Sequence, residues 1–204
     1  MRWALAVIVL LVARADAREI HENDRPVREQ FVDITTVIDD VVLDMRYATK
    51  DNFTRKAVYP KSVCKLRSAV AKRLATAAAL LRAQDRRLVV WDCYRPTSIQ
   101  EVFWKLVPDE RYVANPADGS RHSRGAAVDV SLADMEGRAV AMPTKFDDFS
   151  ARAHRKHALA GKRGVEAKRL SDAMTEAGFV PMPTEWWHFD APDAAKYALS
   201  NAPL

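Results

Sequence analysis

The segment that most restricts the possible folds is GAAVDVSL, residues 125–132, because its side chains alternate strictly in character. One set contains the larger apolar side chains Val128, Val130 and Leu132. The other set contains Ala127, Asp129 and Ser131. A period of two residues is that of a strand and does not match a helix of 3.6 residues per turn. The sequence therefore predicts a strand with one apolar face and a carboxylate on the opposite face.

The chain before this strand is predicted to contain further strands and helices. Residues 31–47 are rich in Val, Ile and Thr and are expected to be extended, and RRLVVWDCY, residues 86–94, is typical of a buried strand. Residues 66–83 contain strong helix formers with one apolar face, formed by Leu66, Val70, Leu74, Ala78 and Leu81. Thr97 and Gln100 have the spacing of a capping box, which predicts a helix that extends to about residue 107.

The second half of the chain continues this mixture of elements. A helix is predicted over residues 162–177, with Gly178 placed to end it, and the prolines of residues 180–192 leave room for one short strand. No repeat or long linker divides residues 18–204, so we expect one domain. The order of elements predicts an α+β fold with a small antiparallel sheet flanked by helices.

Residues 1–17 have the features of a cleaved secretory signal. Arg2 is followed by an apolar run and then by the small-x-small sequence Ala15-Asp16-Ala17. The alternative, a membrane anchor, is disfavoured because the apolar run of about 11 residues is shorter than the roughly 20 needed to cross a bilayer. The sequence predicts export to the periplasm or cell envelope, with no membrane insertion after cleavage.

The charge of the chain is mildly basic. Removal of the signal would take away two positive charges and one negative charge and would lower the net charge from +5 to +4. The basic residues are spread singly, as on a solvated surface, and no basic patch is interleaved with aromatic residues. This pattern argues against a nucleic-acid partner.

The chain contains two cysteines, Cys64 and Cys93. An exported protein can keep a disulfide, but two small buried residues would give the same pattern. Both alternatives remain open at the level of the sequence. A cysteine metal site is poorly supported because neither residue belongs to a CxxC pair.

Two separate motifs contain residues that can bind a metal. His122 precedes Gly125 in a predicted loop, and Asp129 lies in the strand that follows. Taken alone, this spacing is also typical of a turn that runs into an ordinary strand. The motif TEWWHFD adds Glu185 and His188. Two histidines and one carboxylate form a recurring ligand set for catalytic zinc, and a second carboxylate can act as the base.

The spacing of Glu185 and His188 sets a condition on the local backbone. Residues three apart point to opposite faces of a regular strand, so both can line one cavity only if a twist, a bulge or a turn separates them. Trp186 and Trp187, between them, are more typical of core packing than of ligand contacts.

Four motifs of the chain resemble those of one protein family. SRHSRGAAVD resembles the SxHxxGxAxD motif of the LAS-type zinc peptidases, which cleave cell-wall peptides. EWWHF, WDCYRP and MRYATKDNFT are similar to the D-alanyl-D-alanine dipeptidase branch of that group, and the resemblance covers most of residues 40–190. It implies a LAS/hedgehog-like zinc peptidase fold with one Zn²⁺ per chain, bound by His122, Asp129 and His188.

The same resemblance implies roles for five further residues. Glu185 would be the catalytic base, and Arg95, in YRP, would stabilise the transition state. Tyr47 and Asp147 would hold the free amino end of the substrate, and Ser120 its carboxylate.

This sequence departs from the family pattern at two positions. Cys93 replaces the small residue, often Gly or Ala, that usually precedes YRP. Pro143 stands where glycine is usual before the segment that contains Asp147. Neither change affects an expected ligand.

The function implied by the resemblance is zinc-dependent hydrolysis of D-Ala-D-Ala to free D-alanine, by a zinc-activated water with a Glu base and Arg stabilisation. One alternative is a zinc D,D-carboxypeptidase or endopeptidase that acts on longer peptidoglycan stem peptides. Another is a catalytically inactive zinc-binding module. An exported dipeptidase would suit the recycling of D-alanine from wall turnover better than antibiotic resistance, which requires destruction of the dipeptide in the cytoplasm.

Overall fold

The computed structural model describes residues 29–204, so the predicted signal segment 1–17 lies outside the described residues. The strands are β1 (Phe31–Asp33), β2 (Val42–Leu43), β3 (Lys65–Arg67), β4 (Arg87–Asp92), β5 (Ala127–Ala133), β6 (Val180–Pro181) and β7 (His188–Asp190). The helices are α1 (Ser68–Arg82), α2 (Thr97–Leu106), α3 (Arg155–Ala158) and α4 (Val165–Glu176). Among the described helices, none has the length and apolar composition needed to span a membrane.

The strands form two sheets. β1 and β3 pair antiparallel, and a larger sheet has the order β2-β4-β5-β7-β6. Within this larger sheet β2 runs parallel to β4, while the β4/β5, β5/β7 and β7/β6 pairs are antiparallel. The predicted α+β class with a small, mainly antiparallel sheet and flanking helices is therefore confirmed.

The central strand of the larger sheet is β5, and all seven of its residues are buried. Helices α1 and α4 pack on each other and against β4 and β5. The predicted apolar face of α1 is confirmed, because Val70, Leu74 and Leu81 are fully buried and Ala78 is nearly so. Burial of Asp129 in such a strand is costly unless the carboxylate has partners.

The two cysteines form a disulfide between Cys64, just before β3, and Cys93, just after β4. Their Cα atoms are 5.4 Å apart, and neither side chain is exposed. The tertiary structure thus decides between the two alternatives that the sequence left open.

Two local predictions need correction. Residues 31–47 form two short strands, because the Asp33 carboxylate accepts from the backbone N–H of Thr35 and starts a 3-10 turn. The predicted capping box is wrong, because α2 begins at Thr97 without a side-chain cap and the Gln100 side chain accepts from Arg95 instead. In α3, the Arg155 guanidinium donates to two carbonyl groups in or near β7.

Candidate metal centre and catalytic cleft

The backbone around β5 brings the two predicted metal motifs together. His122 begins a 3-10 turn that ends at Gly125, and the register of β5 and β7 places Asp129 opposite His188. Gly125 has φ of +68°, and a Cβ atom at this position would lie 2.3 Å from the Phe31 ring. Only glycine therefore fits the point at which the chain turns from His122 into β5.

Three ligand atoms converge at this point. His122 Nε2 lies 3.2 Å from His188 Nδ1 and 3.5 Å from Asp129 Oδ1, and the last two atoms are 2.9 Å apart. Tetrahedral zinc with ligands at about 2.0–2.2 Å places ligand atoms about 3.3 Å apart. The triangle has the size and donor types expected for one zinc ion. The structure thus brings together the three residues that the sequence predicted as ligands.

Each histidine is held through its second ring nitrogen. His122 Nδ1 lies 2.6 Å from the carbonyl oxygen of Cys93, and because that oxygen only accepts, Nδ1 carries the proton and Nε2 is left free for a metal. His188 Nε2 lies 2.9 Å from Asp190 Oδ1, and the other oxygen of Asp190 is 3.1 Å from the Arg121 guanidinium. Outer partners of this kind fix the direction of a ligand ring and raise its basicity.

The charges of the cluster favour a bound cation. Burial opposes protonation of His188, but Asp129 and Asp190 outweigh it and raise the His188 pKa to about 10. Burial also opposes ionisation of Asp129, yet the two histidines hold the pKa of its carboxyl below the usual range. In the metal-free protein a proton on His188 therefore sits between two carboxylates, and a divalent metal would displace it.

Asp190 was not among the predicted site residues. It lies two residues after His188 in β7, and alternation along a strand places residues i and i+2 on one face. The HFD pattern could have identified it for this reason.

Glu185 satisfies the condition on the backbone, because a turn at residues 186–187 separates it from β7. Its side chain is 6% exposed and lines the same cavity as the three ligand residues. Burial raises the Glu185 pKa to about 8. Within residues 29–204 its carboxylate makes no hydrogen bond, so it remains available to a water or a substrate. A pKa near neutrality suits a group that accepts and returns a proton.

Arg95 is buried and held from two sides. Its Nη2 lies 2.6 Å from Asp92 Oδ2, and its Nη1 donates to Gln100 Oε1 at 2.7 Å. The Gln100 amide is itself oriented by a 2.7 Å bond to the carbonyl of Ala114. The guanidinium also lies over the Phe103 ring, 4.5 Å from its centroid. Arg95 is thus a fixed cation on the wall of the cavity.

Sequence reasoning missed both residues that hold Arg95. Asp92 had a usable signal, because WDCYRP places a carboxylate three residues before the arginine. Gln100 gave a misleading signal, since its spacing from Thr97 also matches a capping box.

The three predicted substrate-binding residues line the same cavity. Asp147 accepts from the Tyr47 hydroxyl at 3.1 Å and from the backbone N–H of Phe53 at 3.0 Å. Burial raises the Asp147 pKa to about 7. Ser120 is buried close to His122, whose backbone N–H donates to the Ser120 Oγ at 3.2 Å. Pro143 therefore does not turn Asp147 away from the cavity.

The cavity has a volume of about 320 Å³. Ligand pockets commonly measure roughly 300–1,000 Å³, so this one is suited to a small molecule. Trp187 also lines it, whereas Trp186 is fully buried and packs its ring against Trp91. The core-packing interpretation thus holds for both tryptophans, since Trp187 is 1% exposed, and Trp187 also forms part of the cavity wall.

The arrangement matches a known family. A family model described as D-ala-D-ala dipeptidase, in peptidase family M15, matches residues 27–202. A D-alanyl-D-alanine dipeptidase of Escherichia coli (strain K12) is 36% identical over 171 residues, which cover 83% of this chain and 89% of that protein. One of Enterococcus faecium is 33% identical over 183 residues, covering 78% and 90%.

A solved structure gives a more distant similarity. The crystal structure of the vancomycin resistance D,D-pentapeptidase VanY, a mutant in complex with Zn(II), aligns with a TM-score of 0.42 at 16% identity. The alignment covers 67% of this chain and 78% of that chain. This similarity is too weak to inform the geometry of the site.

Proposed function

The chain belongs to the M15 family of D-Ala-D-Ala dipeptidases, and we propose that it is a zinc metallopeptidase that hydrolyses D-Ala-D-Ala to two molecules of D-alanine. The observation that carries the proposal is one small cavity that holds the His122, Asp129 and His188 triangle together with Glu185 and Arg95. The curated relatives reported above carry the same activity in their names.

One zinc ion per chain fits the three ligand residues and leaves a fourth position open. When bound, zinc would polarise the scissile carbonyl and lower the pKa of a water to about 7. The chain surrounds this position with buried side chains, among which fixed charges act more strongly than in bulk water.

Glu185 is proposed as the general base and then the general acid. Its unpaired carboxylate can take a proton from the attacking water and return it to the leaving amine of the second alanine. Such proton transfer contributes about 10²- to 10⁴-fold to a rate.

Arg95 is proposed to stabilise the negative charge that develops on the carbonyl oxygen. Its position is set before the reaction by Asp92 and Gln100, so no reorganisation is needed when the charge appears. Loss of one such donor costs on the order of 10²- to 10³-fold in kcat.

The two ends of a free dipeptide carry opposite charges, and the cavity offers partners for both. Asp147, supported by Tyr47, would pair with the ammonium group, and Ser120 would donate to the carboxylate. A peptide with a blocked amino end would leave the Asp147 charge buried beside a neutral amide. The site should therefore favour the free dipeptide over longer stem peptides.

The proposed location is the periplasm or cell envelope. The predicted signal segment motivates this proposal, and the Cys64–Cys93 disulfide supports it, because disulfides persist in oxidising compartments and are rare in the cytosol. In that location the proposed role is D-alanine recycling. Cell fractionation, with an antibody to detect the protein, would test this location. Full-length protein in the cytosol would contradict both the location and the role.

The direct test measures free D-alanine released from D-Ala-D-Ala, with N-acetyl-D-Ala-D-Ala and a D-Ala-terminated tripeptide as parallel substrates. We expect release from the free dipeptide alone and loss of release with a chelator. Equal cleavage of the blocked peptides would instead identify a carboxypeptidase or endopeptidase.

A Glu185→Ala variant separates an enzyme from an inactive zinc-binding module. It should keep one zinc per chain and lose at least about 100-fold in kcat, because the base does not touch the metal ligands. Unchanged activity would refute the role of Glu185. Zinc binding without release of D-alanine by the unmodified protein would favour the binding module.

A further inference from the structure

The Cys64–Cys93 disulfide adjoins the metal centre through the contact of the Cys93 carbonyl with His122, and no step of the proposed reaction uses it. Both cysteines are fully buried. Cys93 follows the last residue of β4, where regular pairing with β5 has already become irregular between Val90 and Asp92. The segment after β4 therefore needs other contacts to hold its position.

The backbone of Cys93 contacts both halves of the site. Its carbonyl oxygen accepts the His122 Nδ1 proton at 2.6 Å, which sets the direction of that ring. Its N–H donates at 2.8 Å to Oδ1 of Asp92, the residue whose Oδ2 holds Arg95. A shift of the Cys93 backbone would thus move a metal ligand and disturb the support of Arg95 together.

The other end of the disulfide is anchored away from the cavity. The carbonyl of Cys64 accepts from Ile34 at 3.1 Å, and the next residue, Lys65, begins β3 in the small antiparallel sheet. The Lys65 carbonyl in turn accepts from the N–H of Tyr94 at 3.1 Å. The disulfide and this hydrogen bond together tie the segment of residues 92–95 to a second sheet.

We infer that the Cys64–Cys93 disulfide is a positioning element of the catalytic site, which holds His122 for the metal and Arg95 for the substrate. The part of this inference that concerns turnover rests on the proposed function, whereas the part that concerns the metal ligand does not. The activity of the protein then depends on oxidation of this cysteine pair.

The first test compares the unmodified protein with a Cys64→Ala/Cys93→Ala variant. We expect metal affinity to be weaker by about 10-fold or more, as measured by competition with a chromogenic chelator. The reason is that disturbing the hydrogen-bond partner that orients a ligand histidine costs about 10- to 100-fold in metal affinity. We also expect kcat at saturating zinc to fall at least tenfold while KM changes less than threefold. Metal affinity and kcat both within twofold of the unmodified protein would overturn the inference.

A matched control separates positioning from stability. Leu81→Ala removes a fully buried side chain of α1 outside the cavity lining. It should lower Tm but leave metal affinity and kcat within twofold, measured well below the Tm of each variant. For each variant, the losses of metal affinity and of kcat are compared with the decrease in Tm. If the ratio is the same for Leu81→Ala and for the cysteine variant, the disulfide only stabilises the fold and the inference fails.

A second measurement covers the case in which the cysteine variant does not fold. A phosphine reductant is added to the unmodified protein, so that the phosphine and one water convert the disulfide to two thiols and a phosphine oxide. Free thiols, near-ultraviolet circular dichroism, metal affinity and activity are followed together. Loss of metal affinity and activity with two thiols per chain and an unchanged spectrum would support the inference.

Two other outcomes of the reduction would overturn it. One is retained metal affinity and activity in protein with two free thiols. The other is that metal affinity and activity decrease only together with the near-ultraviolet circular dichroism signal, which would mean that the disulfide merely maintains the fold. If the unmodified protein releases no D-alanine at all, the proposed function fails, but the metal affinities still decide whether the disulfide positions His122.

Discussion

Replacement of Asp147 by Asn is expected to make the metal-free protein more stable, relative to the unmodified protein, as the pH rises, and to weaken its activity. Asp147 has φ of +57°, a backbone conformation that Asn adopts more readily than most residues. The variant therefore keeps the turn and removes the ionisable group. Burial raises the Asp147 pKa to about 7 despite the hydrogen bonds from Tyr47 and Phe53, so its ionised form opposes folding.

The size of this effect follows from the pKa difference between the two states. The carboxyl has an ordinary pKa of 3.8 and a pKa of about 7 in the folded protein. Its protonated form stabilises the fold fully below pH 3.8, and this contribution is lost as the pH rises through 7. Each pH unit of difference corresponds to about 1.4 kcal/mol, which sets an upper limit of about 4 kcal/mol.

The Asn variant also loses an acceptor for the N–H of Phe53, which costs about 1–3 kcal/mol at every pH. The informative quantity is therefore the pH dependence. The free energy of unfolding of the variant minus that of the unmodified protein should increase by about 2–4 kcal/mol between pH 4 and pH 8.

Urea denaturation at several pH values in the presence of a chelator measures this difference. Asp148→Asn is the matched control, because it removes a neighbouring carboxylate that pairs with Arg152 at 3.0 Å and does not line the cavity. In the active enzyme, Asp147→Asn should lower kcat/KM for D-Ala-D-Ala about 10- to 100-fold through loss of a charged hydrogen bond. If the free energies of unfolding of Asp147→Asn and of the unmodified protein change with pH in the same way, the reasoning is refuted.

Three further substitutions test the residues that support the site. Asp92→Asn should cost about 3–5 kcal/mol in the free energy of unfolding, because it leaves the buried Arg95 charge without its partner; kcat should fall as well, and an unchanged kcat would contradict the positioning of Arg95. Asp190→Asn should weaken zinc affinity about 10- to 100-fold by removing the negative charge of the outer partner of His188, as measured by chelator competition; equal affinity would exclude a role for that charge. Gly125→Ala should destabilise the fold by about 2 kcal/mol or more in urea denaturation, because it combines a strained positive φ with a steric clash, and a loss below about 0.5 kcal/mol would show that the turn can rearrange.

The sequence by itself was sufficient for those parts of the site that depend on local patterns. Alternation over residues 125–132 predicted β5 with Asp129 opposite its larger apolar side chains, and the three expected ligands do converge. Helical spacing predicted α1 and α4, and Gly178, which has φ of +88°, lies just after α4. The predicted start of α1 was two residues early, because Leu66 belongs to β3. The strand and the two helices were predictable because neighbours along the chain determine them, whereas the ligand set rested on the resemblance of separate motifs to one family.

The tertiary structure alone decided how distant segments support one another. The same Gln100 side chain satisfies a capping pattern in the sequence and an arginine in the folded protein, and long-range packing selected the second partner. Likewise, nothing local to Cys64 or Cys93 determines that they pair 29 residues apart, or that the Cys93 carbonyl meets His122. Local spacing specifies strand faces and turns, whereas a hydrogen bond between distant residues depends on how the sheets and loops pack in three dimensions.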